Sequence, residues 1–320
     1  MNLLALLIIG LGAAIAPLDF SVNIAFPAIT EVFELQTQTI RWIALCYVLT
    51  YGGLVIWFGA LGDRVGHLKV FRWGLILSVI SLTLCALAPT YVWLVVARVL
   101  QGVAMALLLS CAPALIIAVF AENERTRALS VYGGLTAFAA VIAPVIGGFS
   151  IVLMGWSGVF WFRVPIALLA LLCLPLVHEH FRQPRFARPA FAKSRSSLVI
   201  LFDVFKNSQN SGWVNLANVM IQLSSFAVPL ILPYYLTRVA QWSPTETGGV
   251  LAIWASGTFV GSAFAGVVTR RLGVQRTAFI AAWLCILGLV FIALWSAQVS
   301  LPMMILSVVL QGMGLGLFQV

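Results

Sequence analysis

The chain has 320 residues, of which 62% are hydrophobic and only 8% charged, against roughly 25% charged in soluble proteins. Eighteen Lys and Arg stand against nine Asp and Glu, a net charge of +9, and mean hydropathy is +1.08. So few charges cannot cover a water-soluble surface of this size, which excludes soluble enzymes, disordered tails and disulfide scaffolds and makes lipid the solvent of the exterior.

A helix that crosses the hydrocarbon core needs roughly 20 mostly apolar residues, and ten such spans are predicted. The first runs from Leu3 to about Thr30, interrupted by Asp19. The second covers Trp42 to Gly62, and the third Trp73 to Ala88, closed by Ala88-Pro89-Thr90. The fourth follows from Tyr91 to about Ala121 and contains Arg98. From Ala128 to Phe162 no charge occurs; that run is too long for one span, and the cluster from Gly147-Gly148 to Gly155-Trp156-Ser157-Gly158 divides the fifth from the sixth, which ends near Val177. The seventh covers Trp213 to Thr237 and the eighth Thr247 to Thr269. The run Thr277 to Val320 is divided by Ser300-Leu301-Pro302 into the ninth and tenth. The runs are solidly apolar rather than alternating, so they read as helices and not as barrel strands. Ala14-Ile15-Ala16 has the small-x-small form of a signal-peptide cleavage site, but the basic segment that should precede it is missing.

The basic residues set the orientation. With a cytoplasmic amino terminus, the inner loops hold Arg64, Lys69, Arg72, Arg125, Arg127, Arg182, Arg185, Arg188, Lys193, Arg195, Lys206, Arg270, Arg271 and Arg276, fourteen of the eighteen. The outer side keeps Arg41, Arg163 and Arg238, and Arg98 lies within a span. The positive-inside rule therefore places the amino terminus in the cytoplasm and the chain in the inner or plasma membrane. The same charge, spread over short loops without a nucleic-acid motif, gives no reason to expect nucleic acid as a partner. Cys46, Cys85, Cys111, Cys173 and Cys285 sit in apolar runs without metal-ligand spacing and read as packing residues. His178-Glu179-His180 reads as an interfacial anchor at a helix end rather than a metal site. No cofactor and no metal is expected.

An internal repeat is readable. Gly59 to Lys69 recurs as Gly266 to Arg276, Leu100-Gln101-Gly102 returns as Leu310-Gln311-Gly312, and Phe20 to Pro27 aligns loosely with Phe226 to Pro233. The expected fold is an all-α polytopic membrane protein: a six-helix bundle over residues 1–177, a basic linker over 178–210 with an interfacial segment at Leu198 to Phe205, and four helices of a second bundle over 211–320. Paired bundles with a site near the midplane are the design of alternating-access transporters.

Four motifs carry a family resemblance that covers nearly the whole chain. Gly59 to Lys69 is similar to the loop pattern G-x-L-x-D-R-x-G-x-x-K. Leu18 to Pro27 resembles the first-helix motif L-D-x-T-x-V-N-V-A-L-P, Arg98 to Gly102 the fourth-helix motif R-x-x-Q-G, and Ala143 to Gly148 the fifth-helix motif G-P-x-x-G-G, with Ala143 for its first glycine. The chain thus resembles the major facilitator superfamily, and within it the drug:proton antiporters, with motifs most familiar in the fourteen-helix branch. Gly155 to Pro165 resembles the sixth-helix entry W-R-W-x-F-x-I-N-x-P, with Ser157 and Gly158 in place of Arg and Trp and Arg163 in the Asn place. The two additional helices of the fourteen-helix branch are missing from the linker. Set against a twelve-helix pattern, the chain reads as truncated after the tenth helix.

Asp19 is the one acid predicted inside a span, and a membrane-buried carboxylate usually has a task. Asp19 lies about 8 residues from the outer end of its helix and Arg98 about 7, roughly 10 to 12 Å deep at 1.5 Å per residue. The matched depths predict a coupled pair in which proton uptake at Asp19 releases Arg98 or a cationic substrate; the resemblance implies the same roles. A permanent ion pair that only locks the bundle is the alternative. The resemblance makes Gly59, Asp63, Arg64, Gly66 and Lys69 a conformational latch, against a charged turn that only enforces topology. It makes Ala143, Pro144, Gly147 and Gly148 the antiporter-motif helix, where Ala139, Ala143 and Gly147 repeat small residues at spacing four and Pro144 predicts a bend. Asn23, Trp42, Tyr47, Gln101 and Gln222 are cavity candidates, Trp42 equally a belt residue. The expected activity is proton-coupled export of hydrophobic small molecules, cations among them, by a monomer whose partners are substrate, protons and the bilayer. The alternatives are a facilitator or importer of a small metabolite and a truncated, non-transporting membrane protein. No enzyme activity is expected.

Overall fold

The computed structural model describes residues 3–176, 211–295 and 300–318, and among these every regular element is helical. The elements are α1 (Leu3–Ala14), α2 (Val22–Val32), α3 (Arg41–Val65), α4 (His67–Ala86), α5 (Tyr91–Val119), α6 (Glu122–Met154), α7 (Gly158–Trp161), α8 (Arg163–Cys173), α9 (Ser211–Tyr234), α10 (Pro244–Leu272), α11 (Val274–Ala293) and α12 (Leu301–Phe318). Nine apolar helical stretches among the described residues are long enough to cross a membrane. One of them, Glu122–Leu176, is 55 residues long and accounts for the predicted fifth and sixth spans together. The linker, with His178-Glu179-His180 and Leu198 to Phe205, lies outside the described residues.

Local chemistry explains the boundaries. The first span is two helices joined by a 3-10 turn, Pro17–Ser21. Pro17 has no N–H to continue the ladder and disfavours α geometry at Ala16, so the amide of Asp19 bonds the carbonyl of Ala16 instead (3.0 Å). α5 starts where Thr90 caps the amide of Trp93 (3.3 Å). α10 starts on a reciprocal capping box, in which Glu246 N–H donates to the Ser243 hydroxyl and Ser243 N–H to the Glu246 carboxylate, with Pro244 in the first turn. This cap sets the start three residues before the predicted Thr247.

Several predicted edges move. α4 begins at His67 rather than Trp73, so Lys69 and Arg72 lie on the helix. Gly147-Gly148 does not break the fifth span: α6 runs through both and through Pro144 to Met154, and the break is confined to Gly155–Ser157, where Gly155 takes a φ of +67° that side chains disfavour. Pro302 starts α12 rather than separating it from α11, which ends at Ala293.

The helices form two compact units. One comprises Met1–Asp19, Ala28–Ala139 and Met154–Val204, the other Phe20–Pro27, Ala140–Leu153 and Phe205–Val320. In the first, α5 is the central helix and packs on α3, α4 and α1, while α8 packs on α4 and α1. Leu94, Ala97, Met105, Leu108 and Cys111 of α5 are buried, while Val92 and Val96 face outward. In the second unit α12 takes the central place, packed on α10 and α11.

The sequence repeat has a structural counterpart inside each unit. Gly66 and Gly273 end their helices at φ +101° and +84°, and each amide bonds the carbonyl four residues back, Gly62 (2.8 Å) and Thr269 (2.9 Å). Gln101 and Gln311 are both fully buried. Cys85 donates to the Gln101 side chain (3.8 Å), and Cys285 to the backbone carbonyl of Gln311 (3.6 Å).

Candidate functional site: a buried carboxylate between two arginines

Asp19 projects from the 3-10 turn of the first span into the first unit and meets α5 and α8. Arg98 grips it with both ends: Nη1 donates to Oδ1 (2.6 Å) and Nη2 to Oδ2 (2.8 Å), the fork geometry that suits a guanidinium to a carboxylate. The other Arg98 donors are also engaged. Nε donates to the Ile43 carbonyl of α3 (3.0 Å) and Nη1 also to the Gln101 side chain (2.8 Å). The guanidinium lies 4.2 Å from the centroid of the Tyr47 ring, a cation–π contact strengthened by burial. Gln101, one turn along α5, donates its amide to Asp19 Oδ1 (3.1 Å) while accepting from Arg98.

The third partner corrects the sequence reading. Arg163, assigned above to the outer loops, is 0% exposed and donates Nη1 to Asp19 Oδ1 at 2.6 Å. The chain re-enters helical structure at Gly158, so Arg163 stands at the start of α8, beyond the turn and inside the span. The signal was present in the sequence: Arg163 lies well before Val177, within the apolar run. The charge count alone assigned it outside. Its Nε donates to the Val159 carbonyl one turn back (2.9 Å), and its Nη2 is buried with no hydrogen-bond partner. The cluster therefore holds two guanidinium groups and one carboxylate, in surroundings where isolated charge is costly.

Tyr47 and Gln101 are buried beside Arg98, whereas Trp42 is exposed with Arg41 6.0 Å from its ring. Gln222 is exposed on α9. Asn23 belongs to the second unit, where it lines a small cleft with Phe20, Pro144, Pro229, Leu251 and Trp254. The rings of Phe20 and Trp254 meet edge to face at 6.0 Å. In the same unit Gly147 stands against Ser21, Gly148 against the backbone of Pro244 and Thr245, and Gly248 against the Pro144 carbonyl, all closer than a side chain would allow. Ala143 is fully buried. At the Gly59–Lys69 loop, Asp63, Arg64, Gly66 and Lys69 are exposed, and His67 Nε2 lies 3.1 Å from Asp63 Oδ1. Sequence reading did not anticipate that Trp254 Nε1 donates to the Gln311 side chain, from α10 to α12.

With this geometry in place, comparison with known proteins decides the family. The sequence profile of the Major Facilitator Superfamily matches residues 3–320. The chain belongs to that superfamily. The riboflavin transporter of Clostridioides difficile is 24% identical over 358 aligned positions, covering 98% of this chain and 78% of that one. The methylenomycin A resistance protein of Streptomyces coelicolor is 33% identical over 157, covering 48% and 33%. The puromycin resistance protein of Streptomyces alboniger is 29% identical over 235, covering 72% and 46%. Among solved structures, a bacterial homologue of the human lysosomal transporter Spinster, in an inward-facing and unoccupied conformation, superposes with a TM-score of 0.73 at 20% identity, covering 98% of this chain and 73% of that one. The superfamily fold, a multi-pass membrane bundle of helices, is thus established. The members that resemble this chain are transporters.

Proposed function

We propose that this superfamily member is a proton-coupled exporter of hydrophobic small molecules working by alternating access, with Asp19 as the group that takes and gives the proton. The observation that supports this reading most is the carboxylate itself. It is an acid at membrane depth, held by Arg98, Arg163 and Gln101 rather than by a backbone cap, so a proton arriving on it would remove the negative charge that these donors share. Resemblance to resistance proteins over 48% and 72% of the chain supports export. In this reading the Gly59–Lys69 turn latches one conformation, the closely packed helix with Ala143, Pro144, Gly147 and Gly148 limits proton leak, and Asn23, Tyr47, Gln101 and Gln222 contact substrate. The protein then works as a monomer in the inner or plasma membrane, with its amino terminus in the cytoplasm, and catalyses no chemical conversion.

The test uses the protein reconstituted in vesicles with an imposed pH gradient and a lipophilic fluorescent dye. Wild type is expected to move the dye against its gradient and to lose this when the pH gradient is collapsed; Asp19→Asn is expected to retain at most downhill movement. Gradient-driven accumulation by Asp19→Asn would reject the proposal. The riboflavin transporter's resemblance over almost the whole chain favours a second reading, passage of a small metabolite. Under that reading riboflavin, supplied in the same vesicles, moves and the dye does not.

A further inference from the structure

The two arginines on Asp19 are held very differently, and the difference identifies which of them can leave. Arg98 is held by four groups. Its Nε bonds the Ile43 carbonyl on α3, its Nη1 has Gln101 as a second acceptor, its Nη2 has Asp19 Oδ2 to itself, and Tyr47 covers its face. Arg163 has one bond beyond its own stretch of chain, Nη1 to Asp19 Oδ1, and the rings its guanidinium approaches, Phe160 at 5.4 Å and Phe162 at 5.9 Å, belong to that same stretch. Its Nε bond goes to Val159, one turn back on the same stretch of chain, and Nη2 is buried without a partner.

We propose that Arg163, and not Arg98, is the positioning residue that responds to the proton, so that protonation of Asp19 frees α8 from the first span while α5 stays in place. This rests on the reading of Asp19 as the proton-binding group. The site is crowded at one atom: Oδ1 accepts from Arg98 Nη1, Arg163 Nη1 and Gln101 Nε2, whereas Oδ2 accepts from Arg98 Nη2. A proton delivered from water to the less crowded Oδ2 forms an O–H bond and neutralises the carboxylate that pairs both guanidinium groups, leaving Oδ1 an uncharged, weaker acceptor. Arg98 keeps the Gln101 side chain, the Ile43 carbonyl and the Tyr47 ring. Arg163 Nη1 is left without a counter-ion and without a second acceptor, which is strongly disfavoured in this position, so it withdraws with α8. The other titratable groups around the cluster, Tyr47, Tyr51, Cys46 and Cys85, sit on α3 and α4. The neutral Arg163→Asn variant removes the charge and tests this role.

Two measurements on the reconstituted protein test this. Infrared difference spectra titrate the protonated carboxyl band that Asp19→Asn abolishes, from about pH 4 to about pH 9. Spin labels on lipid-facing positions, Val96→Cys on α5 and Leu169→Cys on α8 in a background with the five native cysteines replaced, report the distance between these helices. In wild type the distance is expected to change with pH in step with the Asp19 band. In Arg163→Asn the band is expected to titrate about one pH unit higher, because one neighbouring cation is gone, and the distance is expected to lose its pH dependence. Arg163→Lys restores part of both. An unchanged titration in Arg163→Asn, or a pH-dependent distance that survives in it, overturns the proposal. If no band assignable to Asp19 titrates in the range, the proton-binding reading itself fails, and the vesicle assay with Asp19→Asn reports that separately.

Discussion

Asp19 Oδ1 is satisfied by three donors and Arg98 Nη1 by two acceptors, and Gln101 takes part in both sets. It is the neutral hinge of the charged cluster and is fully buried. Gln101→Leu keeps the volume but removes one donor and one acceptor, leaving charged groups under-paired at about 1–3 kcal/mol; the expected outcome is a lower thermal midpoint of the detergent-purified protein. The pairing of Asp19 with Arg98 was legible from the sequence because both lie in apolar runs at equal depth, and depth can be counted along a helix. The second arginine was not, since the positive-inside rule sorts charges between loops and says nothing of a charge placed one turn past a loop. Nor could the sequence distinguish which guanidinium is anchored. That depends on the Ile43 carbonyl and the Tyr47 ring, which belong to a helix more than 50 residues away in the chain.

At the scale of elements, three motif glycines, Gly59 and Gly66 of the loop pattern and Gly148 of the fifth-helix pattern, have different reasons to be glycine. A Cβ on Gly148 of α6 would lie 2.5 Å from the Pro244 carbonyl oxygen, a contact between two backbones that neither can relieve by a rotamer change. Gly148→Ala is expected to cost about 1–3 kcal/mol. Gly66 meets nothing within 4 Å but stands at φ +101°, so Gly66→Ala is strained by about 1 kcal/mol or more. Gly59 lies inside α3 with its nearest foreign atom, Ser110 Cβ, 3.9 Å from the added carbon, and Gly59→Ala is expected to stay within about 0.5 kcal/mol of wild type. Thermal midpoints of the three variants, measured side by side, check the order. Motif reading picks out all three positions, because the motifs are strings of small residues. It cannot rank them, since the ranking depends on which backbone passes opposite. Helix starts were similarly half legible: the Ser243–Glu246 cap is a sequence pattern, but the unbroken course of α6 through Gly147, Gly148 and Pro144 comes from packing that tolerates a missing ladder bond.

For the whole molecule, the repeat makes a topological prediction. The turns at Gly66 and Gly273 carry Lys69 and Arg276, and both are expected on the cytoplasmic side. In a cysteine-free background, Lys69→Cys and Arg276→Cys should therefore react with a membrane-impermeant maleimide in inside-out vesicles and be protected in right-side-out ones. Opposite labelling of the two sites would refute the duplicated arrangement. The fold class was open to reading because lipid leaves so few ways to satisfy a backbone; the allocation of residues between the two compact units was not, since the units divide the first and fifth spans partway along. The interrupted first span also bears on how such a chain is made. Asp19 leaves the ribosome 79 residues before Arg98 and 144 before Arg163, while an acid at the centre of an inserting helix costs about 2.5–3.5 kcal/mol. While the second and third spans are synthesised, the first segment carries its carboxylate without either guanidinium. The partner that offsets this cost arrives only with the fourth span, so the order of synthesis leaves the first segment to be inserted before its ion pair can form.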